Sequence, residues 1–369
     1  MPERMKVGVL FGGRSGEHAV SLLSAASVMQ AMDPEKYHII PIGITEEGRW
    51  LAGGDPLKVL QEKKIPGDCS FATFVTDPSS PGIMLLTDSE RCRDGLFVPL
   101  DLIFPLLHGP FGEDGTVQGL FELAGLPYVG AGVLASAVGM DKEFMKILFQ
   151  QRGLNVGDYL AFQLWQWERE EEKITSEIEE KLGYPCFVKP ANMGSSVGIS
   201  KVFNREMLHI GILEAMRFDL KIIVEANIQG REIECSVLGD EETIASLPGE
   251  IVPCNDFYDY QAKYLNDRSQ LLIPAPLDEE VVGVIQRAAI ESFLAVGCSG
   301  PARVDFFYQQ ENKVLIVNEI NTLPGFTSIS LYPKLWEISG IPYTDLIDRL
   351  IEIALRRFHR RGKIMQNFF

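Results

Sequence analysis

Two alternating runs either side of a short polar turn constrain this chain more than any other feature: Ala302-Arg303-Val304-Asp305-Phe306-Phe307 and Leu315-Ile316-Val317-Asn318-Glu319-Ile320-Asn321, followed by Thr322-Leu323-Pro324-Gly325. Side chains alternate faces along a strand, so Arg303 shares a face with Asp305, and Glu319 shares one with Asn321. A hairpin folded about Asn312 sets Asp305 opposite Glu319 and Arg303 opposite Asn321. Two carboxylates and an amide oxygen beside a guanidinium form a hard oxygen site suited to Mg2+, which retains waters and phosphate oxygens as further ligands. The competing reading is a solvated hairpin face whose opposite charges pair across the strands, each pair contributing roughly 0.2 to 1 kcal/mol. A short pattern without context does not separate the two.

A length of 369 residues exceeds one compact core, so two or three domains are expected. The formal charge of -17 argues against nucleic acid, where affinity rests on Lys and Arg neutralising phosphates. Any phosphate must therefore be held locally. Cys69, Cys92, Cys186, Cys235, Cys254 and Cys298 are scattered with no CxxC pair, which suits reduced thiols better than a disulfide framework or a zinc site. The segment Met1-Pro2-Glu3-Arg4-Met5-Lys6 leads straight into a strand-like run without a signal-peptide apolar core, and no apolar stretch reaches membrane-spanning length. A cytoplasmic protein that binds no membrane is expected.

Lys6 to Phe11, the turn Gly12-Gly13-Arg14-Ser15-Gly16 and the periodic run Val20 to Met32 read as strand, glycine loop and helix, the opening of an open α/β sheet. GGRSG lacks the GxGxxG spacing, so a nicotinamide site is poorly supported. Leu100 to Leu107 reads as another buried strand and ends at His108-Gly109-Pro110-Phe111-Gly112-Glu113-Asp114-Gly115. Both loops then fall beyond the carboxyl ends of strands, where open α/β sheets bind ligands. Residues 49 to 95 read as strands and loops decorating this domain.

Met140-Asp141-Lys142 opens a helix running to Gln151, and the acidic helix Trp165 to Lys181 reads as a solvated face with i, i+4 pairs. Tyr184 to Lys189 and Val197 to Val202 form a hairpin around Pro190-Ala191-Asn192-Met193-Gly194-Ser195-Ser196. Small residues there let backbone N–H groups approach phosphate oxygens, with Lys189 as the opposing charge, though glycine-rich turns are also common as plain structure. Lys221 to Glu225 reads as a buried strand and Arg231 to Leu238 as a half-exposed one. Cys254 to Gln270 reads as a long loop, of the kind that serves as a lid. A helix follows from Leu277 to about Val296, and another from Tyr343 to Arg361. The latter ends in Arg356-Arg357-Phe358-His359-Arg360-Arg361, read as cations favoured by the helix dipole and not as a nucleic-acid patch.

In this order, KPANMGSSVG, the connector KIIVEANI and the RVD with NEINTLPG pair resemble the ATP-grasp fold, in which two α+β domains hold ATP between them. With FGGRSGEHAVS, LHGPFGEDGTVQGLFE, GMDK and FYDYQAKY added, residues 5 to 355 are similar to the D-alanine:D-alanine ligase family. The resemblance implies an N-terminal open α/β, parallel-sheet domain over 1–130, a central ATP-grasp domain over 131–225 and a C-terminal ATP-grasp domain over 226–369 carrying a metal site and a lid loop.

It also implies roles. Lys142 and Lys189 would contact the ATP phosphates, with Ser195, Ser196 and Lys263 beside them. Glu225, Ala226 and Ile228 would face the adenine, Glu232 would accept from the ribose, and Asn318 would adjoin the nucleotide next to Glu319. Two Mg2+ ions, for which Mn2+ substitutes, would rest on Asp305, Glu319 and Asn321. Glu17 and Ser330 would bind the ammonium of a first D-alanine, with His108 nearby. Ser195, Lys263 and Tyr264 would come from two loops that close the site, Ser195 latching toward Tyr264. Arg303 would sit beside a developing acyl phosphate, and the Gly325 N–H would meet the carbonyl oxygen that becomes negative. His108 as a satisfied structural histidine and Tyr264 as a packed loop aromatic are the structural alternatives.

The implied reaction is ATP-dependent joining of two D-alanines for peptidoglycan precursor synthesis, and thus for cell wall and cell shape, in a cytoplasmic homodimer. The tyrosine of Ala262-Lys263-Tyr264 favours the amide product over a D-alanine:D-lactate ester. That depsipeptide ligase, or another ATP-grasp carboxylate-amine ligase, is the nearest alternative. A nicotinamide dehydrogenase and a nonenzymatic nucleotide-binding module are alternatives of a different class.

Overall fold

The computed structural model describes residues 3–63, 69–86, 95–252, 270–327 and 329–365. Three sheets follow one another along the chain. The first comprises β1 (Met5–Gly12), β2 (Tyr37–Ile44), β3 (Trp50–Ala52), β4 (Ser70–Val75), β5 (Gly82–Leu86), β6 (Leu96–Pro99) and β7 (Leu102–Pro105), in the order β6-β5-β4-β3-β2-β1-β7. β1 runs parallel to β2 and β7, whereas β3 to β6 extend the sheet antiparallel. The stretch expected to decorate the domain is therefore continuous with its sheet. Antiparallel neighbours can be joined by short turns, whereas the parallel β1–β2 pair needs the crossover helix His18–Ala31 between them.

The second sheet comprises β8 (Tyr159–Gln163), β9 (Cys186–Pro190), β10 (Ser200–Val202) and β11 (Lys221–Ala226), in the order β10-β9-β11-β8. The third comprises β12 (Arg231–Gly239), β13 (Ile244–Ala245), β14 (Gly249–Val252), β15 (Gln270–Leu272), β16 (Gly300–Gln309) and β17 (Val314–Asn321), in the order β15-β14-β12-β16-β17 with β13 on β12.

The cores cross the sequence order of the sheets. Helices Val133–Met140 and Lys142–Gln151 place Ala135, Met145 and Phe149 against Ile233, Val304 and Phe306 of the third sheet. The helix Tyr343–Met365 repeats apolar residues at Leu346, Ile347, Leu350, Ile351 and Ala354, one stripe of a 3.6-residue period, and buries them with Val28 and Phe104 over the first sheet. Phe326 completes that core edge-on to Phe104, with ring centroids 5.9 Å apart.

β12 departs from the half-exposed expectation. Its alternation is present, with Ile233, Cys235 and Val237 in the core, but Glu234 and Ser236 on the other face are buried too. The Ser236 hydroxyl donates to the Tyr332 carbonyl at 3.3 Å, so at Ser236 the second face is covered by helix Leu331–Ile338, while Glu234 is covered by the Arg303 side chain. Cys69, Cys186, Cys235 and Cys298 are buried thiols that form no disulfide among the described residues. The acidic helix Leu164–Lys181 carries exposed pairs, Lys173–Glu170 and Lys181–Glu177, and its face meets Arg205 through Glu172 and Glu179.

The C-terminal arginines are used inside the molecule. Arg357 donates to the carbonyls of Tyr128 and Gly130 and to the Ser299 hydroxyl, and its guanidinium lies 4.6 Å from the Tyr128 ring centroid. Arg360 pairs with Asp240 and Glu241, and Arg361 with Glu122. Charged hydrogen bonds to buried acceptors are worth more than exposed ion pairs. Arg357→Met is therefore expected to lower the stability read by urea unfolding by about 3 kcal/mol, and Arg361→Ala by no more than about 0.5 kcal/mol.

Candidate active site

The hairpin register holds at the positions that matter. Arg303 lies opposite Asn321 and Asp305 opposite Glu319. Nearer the turn the pairing shifts, Phe306 facing Val317 and Gln309 facing Val314, so the loop is not centred on Asn312. Asn318 is the extra residue, a β-bulge that restores the register beyond it.

β12 adds to the same face, because Glu234 pairs with Asp305 and Ser236 with Arg303. The Arg303 guanidinium grips Asp305 with two bonds of 2.7 Å and meets Glu234 at 2.9 Å. The Asn321 side-chain amide donates to Asp305 at 3.2 Å. Burial works against the Arg303 charge, but Asp305, Glu234 and Glu319 more than offset it and keep the group protonated.

Facing this row is a lysine cluster. Helix Lys142–Gln151 starts at an N-cap, Asp141, whose carboxylate accepts from the backbone N–H groups of Glu143 and Phe144. Lys142 and Lys146 lie one turn apart on its buried side. The Lys142 ammonium donates to the Met193 carbonyl at 2.7 Å, in the glycine-rich loop. Burial lowers its pKa, against the pull of Glu319. Lys189, at the end of β9, pairs with Glu225 of β11. Lys146 meets the other Glu225 oxygen at 2.9 Å and the Asn318 carbonyl at 3.3 Å. Burial opposes the ionised form of Glu225, but Lys146 and Lys189 overcome it and hold its carboxyl far below the usual carboxylate range. Lys189 is raised by the same pairing despite its own burial, with Glu319 and Glu232 adding to the effect.

The first sheet supplies the third wall. Gly12 has φ +91°, and a Cβ there would fall 2.2 Å from the Ile44 carbonyl oxygen, so the β1 loop requires glycine. The loop delivers Glu17, whose carboxylate accepts from the Ser195 hydroxyl. Ser195 and Ser196 have φ of 48° and 60°, left-handed conformations that turn the glycine-rich loop over this contact. His108, at the end of β7, is buried within 3.3 Å of the Ser24 hydroxyl, and burial lowers its pKa, so the ring is neutral at pH 7. Gly325 abuts Ser330, where an added Cβ would lie 2.9 Å from the hydroxyl oxygen. Ser330 is otherwise engaged locally, 2.7 Å from the Thr327 hydroxyl.

The structure thus gathers Glu17 with Ser195, Lys142 with the glycine-rich loop, Lys189 with Glu225, and Arg303 with Asp305 and Asn321. The Ala226 N–H donates to the Asp158 carbonyl at 2.9 Å, and Ile228 packs on Gly157, which places both at the crossing between the second and third sheets. Lys263 and Tyr264, the latch assigned to Tyr264, and the lid loop apart from Gln270 lie outside the described residues.

Three participants escaped the sequence reading. Lys146 was signalled only by its i, i+4 spacing from Lys142. Glu234 stands two residues from Glu232 on one strand face. Glu113, in the HGPFGEDG loop, accepts from the Gly109 N–H at 2.6 Å, and burial together with the Glu17 charge raises its carboxyl well above the usual range.

Among the described residues no group of three or more His, Cys, Asp or Glu side chains is arranged to hold a metal ion alone. A divalent cation here would draw on Asp305, Glu319 and the Asn321 amide oxygen, then on phosphate and water oxygens, and that sparse hard-oxygen set fits Mg2+. A carboxylate offers about four lone-pair sites, so Asp305 retains acceptor capacity beside Arg303. A separate cavity of about 790 Å³ lies in the first domain, lined by Trp50, Phe111, Leu120 and others. It meets this cleft at Gly12, Gly13 and His108 and is lined by none of the lysines.

Comparison with known proteins identifies the family. The family described as D-ala D-ala ligase N-terminus matches residues 6–131, and D-ala D-ala ligase C-terminus matches residues 148–352. The D-alanine--D-alanine ligase of Natranaerobius thermophilus is 48% identical over 367 residues, covering 99% of both chains. That of Heliobacterium modesticaldum is 50% identical over 361 residues, covering 98% of this chain and 97% of its own. Among solved structures, the D-alanine-D-alanine ligase from Coxiella burnetii superposes with a TM-score of 0.85 at 36% identity, covering 99% of this chain and 98% of its own. The VanG D-Ala:D-Ser ligase from Enterococcus faecalis gives a TM-score of 0.85 at 37% identity, covering 95% and 100%.

The depressed Glu225 pKa has a pH signature. A carboxyl held below its unfolded value of 4.5 contributes stability that is present above that pH and lost as pH falls through the folded value. Glu225→Gln is expected to cost about 3 kcal/mol at pH 7, with the gap to the parent protein narrowing below pH 4.5 in urea unfolding across pH.

Proposed function

The chain belongs to the D-alanine–D-alanine ligase family, and on that premise we propose that it joins two D-alanine molecules to D-alanyl-D-alanine, converting ATP to ADP and phosphate. The observation that carries the reading is the alignment of Arg303, Asp305, Glu319 and Asn321 on one sheet face, opposite Lys142 and Lys189.

A carboxylate is a poor electrophile, so amide formation needs it activated as an acyl phosphate. Lys142 and Lys189 neutralise charge on the transferring phosphoryl oxygens, and Lys142 does so from a helix N-terminus, where the dipole adds positive potential. Asp305, Glu319 and Asn321 would hold Mg2+, which would supply Lewis-acid neutralisation of the phosphates. Glu17 receives the ammonium of the first D-alanine in exchange for the Ser195 hydroxyl. Neutral His108 and Ser330 shape the same end of the site. Arg303 and the Gly325 N–H stabilise the oxyanion formed when the second amine attacks, each well-placed donor contributing about 2.7 to 4 kcal/mol. Asp305 and Glu234 fix the guanidinium in advance, which is the condition for such stabilisation.

The nucleotide base lies at the crossing formed by Glu225, Ala226 and Ile228, the ribose on Glu232, and the phosphates beside Ser195, Ser196 and Asn318. Lys263 and Tyr264, which lie outside the described residues, would by the family resemblance help to keep water from the acyl phosphate. Two Mg2+ ions, replaceable by Mn2+, a cytoplasmic homodimer and a role in peptidoglycan precursor synthesis complete the proposal, with domains over 1–130, 131–225 and 226–369. No helix among the described residues is long and apolar enough to cross a membrane.

The name of the VanG ligase keeps the second substrate open as a variable of this scaffold. ADP release measured with D-alanine alone, with D-lactate or D-serine added across pH, and with L-alanine decides it. D-alanine alone is expected to support full turnover, L-alanine none. Preferred consumption of D-lactate or D-serine would replace the reading. Glu319→Gln is expected to lower turnover about 100-fold or more while leaving the unfolding midpoint nearly unchanged, because the group belongs to a charge cluster and not to a packed core. Near-normal turnover in that variant would argue against a metal there.

A further inference from the structure

Glu225 has one ammonium on each carboxylate oxygen, and the two lysines differ in what else holds them. Lys146 is 2% exposed, projects from a helix whose neighbours Met145 and Phe149 are fully buried, and has the Asn318 bulge carbonyl as a second acceptor. Lys189 is 14% exposed and stands where β9 runs into the glycine-rich loop. Lys146 is thus the more enclosed of the two and Lys189 the nearer to the glycine-rich loop.

We propose that Lys146 is a positioning residue whose task is to release Lys189: it stays on Glu225 as a resident counter-ion, so that Lys189 turns to the nucleotide phosphates without stranding a buried carboxylate. With Lys189 as the sole partner, its departure would leave an uncompensated buried charge, the costliest way to break an ion pair. With Lys146 in place, the carboxylate keeps a cation at 2.9 Å throughout. The bulge contributes because Asn318, set outside the regular pairing of β16 and β17, offers its carbonyl to the same ammonium. Lys146 thereby fixes β11 of the second sheet and β17 of the third sheet to one point, on the two sides of the nucleotide cleft.

This inference rests on the ATP reading above, and binding measurements separate the two. Affinities of AMPPNP with Mg2+ and of adenosine are measured by calorimetry for the parent protein, Lys146→Met, Glu225→Gln and the double variant. Adenosine lacks phosphates and reports whether the base site is intact. Lys146→Met is expected to weaken AMPPNP about tenfold or more while changing adenosine by less than about threefold, because Lys189 is now locked on Glu225. Adding Glu225→Gln removes the lock, so the double variant should bind AMPPNP within about threefold of the Glu225→Gln single variant. That last comparison stands even if Lys146→Met alone folds poorly, since it is made without the carboxylate.

Equal weakening of both ligands by Lys146→Met would reduce Lys146 to a structural brace and overturn the proposal. So would unchanged AMPPNP affinity in that variant, or a double variant that binds AMPPNP much more weakly than Glu225→Gln. A parent protein that binds adenosine and AMPPNP not at all would instead sink the ATP reading, and this inference with it.

Discussion

A buried carboxylate needs cations, and Glu225 obtains them from two different parts of the chain. Lys146 arrives on the helix Lys142–Gln151 and Lys189 on the neighbouring strand β9. An ion pair of this kind does not add much stability relative to an apolar core, yet removing one member is expensive, so the arrangement excludes alternative packings more than it strengthens the native one. Much of the site follows from it. The helix that delivers Lys146 also presents Lys142 to the glycine-rich loop, and its apolar side packs into the core of the third sheet through Met145 and Phe149. The lysines are therefore set by the same contacts that hold two sheets together.

The opposite wall is organised by a second cation. Arg303 binds Asp305 through two bonds and Glu234 through a third contact, and Asn321 adds to Asp305. Arginine suits this position because its planar fork satisfies two carboxylates at once while staying charged. The consequence is a sheet face whose acids are already oriented before any ligand arrives. Glu17 and its Ser195 contact close the third side, so groups from all three sheets converge on one cleft.

Much of this was legible because period-two alternation and midpoint pairing are local rules. They placed Arg303 opposite Asn321 and Asp305 opposite Glu319 correctly. The same rules missed the bulge at Asn318, since an extra residue next to a correct pair leaves the alternation of the surrounding residues intact. Lys146 received no role from the sequence, because nothing in one helix tells which stripe a second sheet will cover. Glu234 and Ser236 read as solvent-facing for the same reason, until Arg303 is set on the first and the helix Leu331–Ile338 on the second. The Arg356–Arg361 cluster was read as a structural feature, and Arg357, Arg360 and Arg361 do bind partners within the chain, although those partners come from three distant segments that no local pattern connects.

The central claim is that this cleft makes a carboxylate reactive by moving a phosphoryl group onto it. D-alanine carrying 18O in its carboxylate tests it directly. Transfer of an oxygen from D-alanine to the released phosphate, seen by mass spectrometry as one labelled oxygen per phosphate, is the result the account predicts. Unlabelled phosphate formed alongside the dipeptide would contradict it, because the carboxylate would then have been activated by some other route.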